Sequence, residues 1–126
     1  STPIKSSAAS DVYKRQGLLT ADAKANLLDP ASWKKSPVPV LQQDPENNVY
    51  GPGGISFTPS PDGKEWYMLY HARQIPNDAP GASDSRSPRL QKIDWDKDGM
   101  PVLGTPQKEE EPMAKPSGSP IHKKQN

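Results

Sequence analysis

His71 and His122 are the only histidines in this chain, and histidine is the side chain whose charge changes closest to neutral pH. His71 ends the aromatic run Trp66-Tyr67-Met68-Leu69-Tyr70, where a hydrogen-bonded packing role competes with a place in a site. His122 stands in a polar tail and reads as inert. Ser56 and His71 could pair as nucleophile and base, but no elbow motif surrounds Ser56 and no third member is evident. Arg86, in Ser83-Asp84-Ser85-Arg86-Ser87-Pro88, could offer forked donors to hydroxyls or to a carboxylate. The alternative for Arg86 is a surface arginine in a mobile loop. Asp94-Trp95-Asp96-Lys97-Asp98-Gly99 opens like a calcium-binding EF-hand loop, yet its twelfth position is Thr105 where a bidentate glutamate belongs. Pro101 and the flanking strand patterns also exclude the two helices, so a hairpin turn fits better. Gly51-Pro52-Gly53-Gly54 lacks the further glycine of a dinucleotide loop and the Gly-Lys-Ser/Thr of a phosphate loop, and a strand follows it. Close backbone approach at a turn explains these glycines without a nucleotide.

Composition narrows the classes of partner. Lys and Arg number 16 against 15 Asp and Glu, a net charge of +1 that gives no reason to expect nucleic acid or an anionic membrane. The pairs Lys14-Arg15, Lys34-Lys35 and Lys123-Lys124 read as solvated surface. Cysteine is absent, which rules out disulfides and thiolate metal sites within the chain. No apolar run is long enough to cross a membrane as a helix, and no signal peptide opens the chain. With 126 residues there is room for one domain at most, and 16 prolines favour many short loops over long helices.

The elements that must position these side chains are strands. Gly17-Leu18-Leu19-Thr20 reads as the end of a strand already under way. Asp29-Pro30-Ala31-Ser32-Trp33 predicts a short helical turn, with Asp29 as its cap, Pro30 at its first position and Trp33 anchoring it on the sheet. Ser36-Pro37-Val38-Pro39-Val40-Leu41 is extended, because proline pushes its predecessor out of the helical region. Residues 42–48 form a polar loop. Ile55 and Phe57 then alternate with Ser56 and Thr58, Ser60-Pro61-Asp62-Gly63 makes a turn, and residues 66–71 form an aromatic strand covered on both faces. Residues 74–88 are a long polar loop, residues 90–95 a third strand, Asp96-Lys97-Asp98-Gly99 a tight turn and Pro101-Val102-Leu103 an edge strand. The fold class is all-β, and three to four antiparallel strands with short turns make one propeller blade.

From Gly17 to about Pro106 the chain resembles the C-terminal end of glycoside hydrolase family 43, which includes α-L-arabinofuranosidases, β-xylosidases and arabinanases. The resemblance rests on Gly17-Leu18-Leu19-Thr20-Ala21-Asp22, Leu28-Asp29-Pro30-Ala31-Ser32-Trp33, Tyr50-Gly51-Pro52-Gly53, Ser56-Phe57, Leu69-Tyr70-His71-Ala72-Arg73 and Leu90-Gln91-Lys92-Ile93-Asp94-Trp95, in that order. It implies a five-bladed β-propeller with the active site on its axis, and inverting hydrolysis of a glycosidic bond by two separated carboxylates. The family's three catalytic carboxylates lie upstream of Gly17, so no residue here is assigned a catalytic role. The family's substrate-contacting arginine, four residues before the Leu-Gln strand start, falls on Arg86. The axial histidine that often follows Gly-Pro-Gly and helps hold a calcium ion is replaced by Gly54, which puts a central calcium in doubt.

The expected organisation is therefore threefold. Residues 1–16 are a foreign or disordered leader, because Asp11-Val12-Tyr13-Lys14-Arg15-Gln16 resembles the translated end of a transposon used in sequencing. Residues 17–106 are the last blade and part of the preceding blade of the propeller, and residues 107–126 a flexible tail. On this resemblance the chain is an inactive piece of an extracellular or periplasmic enzyme that removes arabinofuranosyl or xylosyl units from plant polysaccharide. A non-catalytic carbohydrate-binding propeller module is the alternative.

Overall fold

The computed structural model describes the backbone of Ile4–Ser7 and all of residues 15–121. His122 lies outside the described residues, as does most of the transposon-like hexapeptide. Among the described residues seven strands form: β1 (Ile4–Ser7), β2 (Leu18–Ala21), β3 (Trp33–Lys35), β4 (Tyr50–Pro59), β5 (Trp66–Arg73), β6 (Ser87–Trp95) and β7 (Pro101–Val102). They make two antiparallel sheets, ordered β1-β2-β3 and β4-β5-β6-β7, and the described residues contain no α-helix. The chain is all-β.

In the smaller sheet β2 is the middle strand, with Leu18 and Ala21 buried. The turn before β3 is a short 3-10 turn, Pro30–Ser32, whose first free amide, Ala31 N, donates to the Asp29 carboxylate at 2.9 Å. Trp33 takes a different role from the expected anchor. It opens β3 opposite Ala21, and its indole N–H donates to the Leu27 carbonyl at 3.0 Å.

The larger sheet follows from alternation and turn chemistry. Gly63 N donates to Ser60 O and Ser60 N to Glu65 O, closing the Pro-Asp-Gly hairpin between β4 and β5. The Asp96-to-Gly99 turn closes in the same way, while the Asp96 carboxylate caps the amides of Asp98 and Met100. β6 begins at Ser87, ahead of the apolar pattern that starts at Leu90, because ladder pairing needs backbone and not apolar side chains; Ser87 pairs with Ala72. β4 is irregular. Its register against β5 shifts twice, between Tyr50 and Gly53 and between Gly53 and Ser56. Gly51 and Gly54 sit at these shifts with φ of 58° and 61°, a backbone conformation that glycine adopts without a Cβ penalty.

One face of β5 carries the core. Met68, Tyr70 and Ala72 are buried there against Leu41, Val49, Ile93 and Leu103, so segments before and after the sheet close over the same strand. Phe57, Trp66 and Trp95 extend this core toward the hairpin, with Trp66 edge-on to Trp95 at 5.8 Å. The opposite face is more open, and Leu69 is 45% exposed. Truncating fully buried Met68 to Ala should therefore cost about 2–5 kcal/mol, whereas Leu69→Ala should cost less than ~1 kcal/mol. Urea unfolding midpoints of the two variants check this, and equal losses would contradict the assigned faces.

Candidate functional site

The start of β4, the end of β5 and the start of β6 meet at one end of the larger sheet. Tyr50 pairs with Arg73, Gly53 with His71, and Ser87 with Ala72. Arg86 directly precedes Ser87, so the expected substrate arginine stands at this end, and it is exposed. Ser56 pairs with Leu69, two positions along β5 from His71, and no structural feature joins Ser56 and His71 as nucleophile and base.

Arg73, which the sequence reading passed over, organises the loop that carries Arg86. Its guanidinium is buried, with Nε donating to the Ala82 carbonyl and one terminal nitrogen donating to Asn77 Oδ1 at 2.6 Å. Those two bonds tie both halves of the long loop to the end of β5. Gly51 makes room for them: a Cβ there would lie 2.6 Å from Asn77 Oδ1 and 2.8 Å from the Arg73 guanidinium. From the sequence, the one available signal was Gly51 in the run Gly51-Pro52-Gly53-Gly54, which marks a close backbone approach.

His71 lies against the backbone of Gly53 and Gly54. A Cβ on Gly54 would meet the imidazole Cδ2 at 3.0 Å, and one on Gly53 would meet Cε1 at 3.2 Å. Gly54, where the family resemblance led to an expected histidine, thus faces an imidazole supplied by the next strand. Nδ1 of His71 is buried with no hydrogen-bond partner, so a proton there would be a donor without an acceptor. Burial first, then the charges of Arg86 and Arg73, hold the imidazole below its ordinary value and keep it neutral at pH 7. Gln16 completes this end. It is buried, it exchanges backbone bonds with Val40 and Leu41, and its side-chain amide donates to the Pro52 carbonyl at 3.1 Å.

These residues do not fit a calcium ion. Calcium takes six to eight oxygen ligands, whereas this end offers a partly buried imidazole beside two guanidinium groups. Among the described residues no three carboxylate, histidine or cysteine side chains are grouped to hold a metal. What the arrangement can do is donate: Arg86 provides a forked, exposed cation suited to oxygen-rich ligands or to a carboxylate.

The electrostatics carry a sign that can be measured. The folded chain disfavours the imidazolium, while the unfolded chain protonates at the ordinary value near 6.5. The contribution to stability is therefore complete above that value and is lost as pH falls through the lower folded value. NMR titration of the His71 ring should give a midpoint below 6.5, and Arg86→Gln should raise it while leaving it below 6.5, because burial is the larger cause. A midpoint at or above 6.5 in the unmodified chain would contradict this electrostatic account.

The sequence profile of glycosyl hydrolases family 43 matches residues 6–101. Alpha-L-arabinofuranosidase B of Pyricularia oryzae is 42% identical over 103 residues, covering 80% of this chain and 21% of that protein. An extracellular exo-alpha-(1->5)-L-arabinofuranosidase of Streptomyces avermitilis is likewise 42% identical over 103 residues, with the same coverage. The crystal structure of an alpha-L-arabinofuranosidase from Lactobacillus brevis superposes with a TM-score of 0.73 at 34% identity, over 86% of this chain and 34% of that one. The chain thus spans about a fifth of the curated relatives it matches. With the profile match covering most of the chain and the all-β sheets superposing on a solved relative, the chain belongs to glycosyl hydrolase family 43.

Proposed function

We propose that this chain is part of a family 43 α-L-arabinofuranosidase, with residues 17–106 supplying the outer part of the fourth blade and, in β4–β7, the fifth blade of a five-bladed propeller. The observation that carries this reading is the 42% identity to proteins named as arabinofuranosidases, running through both sheets. The substrate would be an arabinofuranosyl-bearing plant polysaccharide or oligosaccharide, with xylosyl linkages as the family's other chemistry. The parent would be secreted, as the Streptomyces relative is named extracellular. Among the described residues no helix is long and apolar enough to cross a membrane.

The reaction would be inverting hydrolysis. One carboxylate activates water and a second protonates the leaving oxygen across the sugar, roughly 6.5–9.5 Å apart. Neither acid is assigned to this chain, so residues 17–106 supply the wall of the site and residues 1–126 alone would not hydrolyse glycosides. Arg86 would contribute charge-assisted hydrogen bonds to the sugar, on a loop fixed by Arg73 and Asn77.

The full-length protein should hydrolyse aryl α-L-arabinofuranoside faster than aryl β-D-xyloside, and Arg86→Ala should lower kcat/KM about 10- to 100-fold. Absence of activity on both glycosides would support a carbohydrate-binding role instead. An Arg86→Ala enzyme with unchanged kcat/KM would remove Arg86 from the site.

A further inference from the structure

The two ring nitrogens of His71 have different surroundings. Nδ1 is sealed in the structure without a hydrogen-bond partner, although the ring as a whole is only half-buried. The distal edge of the ring, Cε1, Nε2 and Cδ2, borders the places where side chains on Gly53 and Gly54 would stand. A Cβ on Gly54 would lie 3.2 Å from Nε2, and one on Gly53 would lie 3.4 Å from it. Gly54 is exposed, so the space beside Nε2 opens outward from the sheet.

The sealed nitrogen decides where the proton sits. A neutral imidazole carries one N–H and one lone pair on its two nitrogens. A buried N–H without an acceptor is the rarer and costlier orphan, so the lone pair falls on Nδ1 and the proton on Nε2. Burial, with the charges of Arg86 and Arg73, keeps the ring from taking a second proton at pH 7. His71 therefore presents a neutral N–H beside the opening over Gly54.

Arg86 stands at the same end of the sheet. His71 pairs with Pro88, Arg86 lies two residues before Pro88 and is exposed, and its charge reaches the imidazole. Two donors side by side suit a ligand rich in oxygen lone pairs. A carboxylate against the ring would draw a second proton onto it, against the burial that keeps it neutral. A sugar hydroxyl makes no such demand.

We propose that His71 is a substrate-contacting residue, its Nε2–H donating to a hydroxyl oxygen of the arabinofuranosyl unit beside Arg86. The bare backbone of Gly53 and Gly54 admits the sugar to the ring. This inference rests on the arabinofuranosidase reading above and adds a second, uncharged donor to the wall that carries Arg86.

The test uses the full-length protein. Nitrogen NMR of the His71 ring should show the Nε2–H tautomer, and saturating L-arabinose should move Nε2 more than Nδ1. On aryl α-L-arabinofuranoside, His71→Phe keeps a ring without the N–H and should lower kcat/KM about tenfold. His71→Gln returns an amide N–H near the Nε2 position and should recover kcat/KM to within about threefold of the unmodified enzyme. Gly53 has no positive φ, so Gly53→Ala adds only a methyl against the ring edge and should raise KM about threefold with kcat held. A packing role for His71 would reverse the order, with the Phe variant active and the Gln variant impaired. That reversed order, unchanged kcat/KM in His71→Phe, an Nδ1–H tautomer, or an Nε2 unmoved by saturating arabinose would each overturn the proposal. An unmodified enzyme whose Nε2 responds to arabinose without cleavage of the arabinofuranoside would count against the arabinofuranosidase reading and still place His71 in a sugar site.

Discussion

The burial of one face of β5 is the constraint on which the other features depend. Met68 and Ala72 are fully excluded from water, and what excludes them comes from distant parts of the chain: Leu41 and Val49 before the sheet, Leu103 after it. Met68, Leu41, Val49 and Leu103 each contribute on the order of 1.5–3 kcal/mol when buried. Because β5 is fixed from both directions, its C-terminal residues His71 and Arg73 have fixed positions as well. From them follow the path of the 74–86 loop and the place of Arg86.

The second constraint is the absence of side chains on β4. Gly51 leaves space for the Arg73–Asn77 bond, and Gly53 and Gly54 leave space for the His71 ring. The two positive-φ glycines also insert the bulges that set β4 apart from a regular strand. Positions 51 to 54 thus act by omission, letting an imidazole and a guanidinium from β5 come close to the backbone. No helix follows these glycines, so they do not open a phosphate loop of the strand–loop–helix kind, and a metal would find two cations nearby.

Much of this fold was legible in the sequence because its signals are local. Alternation of Ile55 and Phe57 with Ser56 and Thr58, the Pro-Asp-Gly turn and the Asp29-Pro30 cap each act over a few residues, and each appears where its chemistry places it. What escaped depends on residues far apart in the chain. Gln16 meets Pro52 across 36 positions, and Ser117 meets Asp62 across 55. Composition marks residues 107–126 as solvated, and nothing in it shows that Ser117-Gly118 matches the shape of a particular hairpin. Arg86 was visible only through family resemblance; its dependence on Arg73 and Asn77 emerged only from their packing.

The central claim is that the Arg86 end of the larger sheet is one wall of a sugar site completed by the rest of the enzyme. A crystal structure of the full-length protein with arabinose bound tests this most directly. The account predicts the Arg86 guanidinium within hydrogen-bond distance, about 2.7–3.2 Å, of a sugar oxygen. A sugar bound on the enzyme with Arg86 pointing to bulk solvent would contradict it.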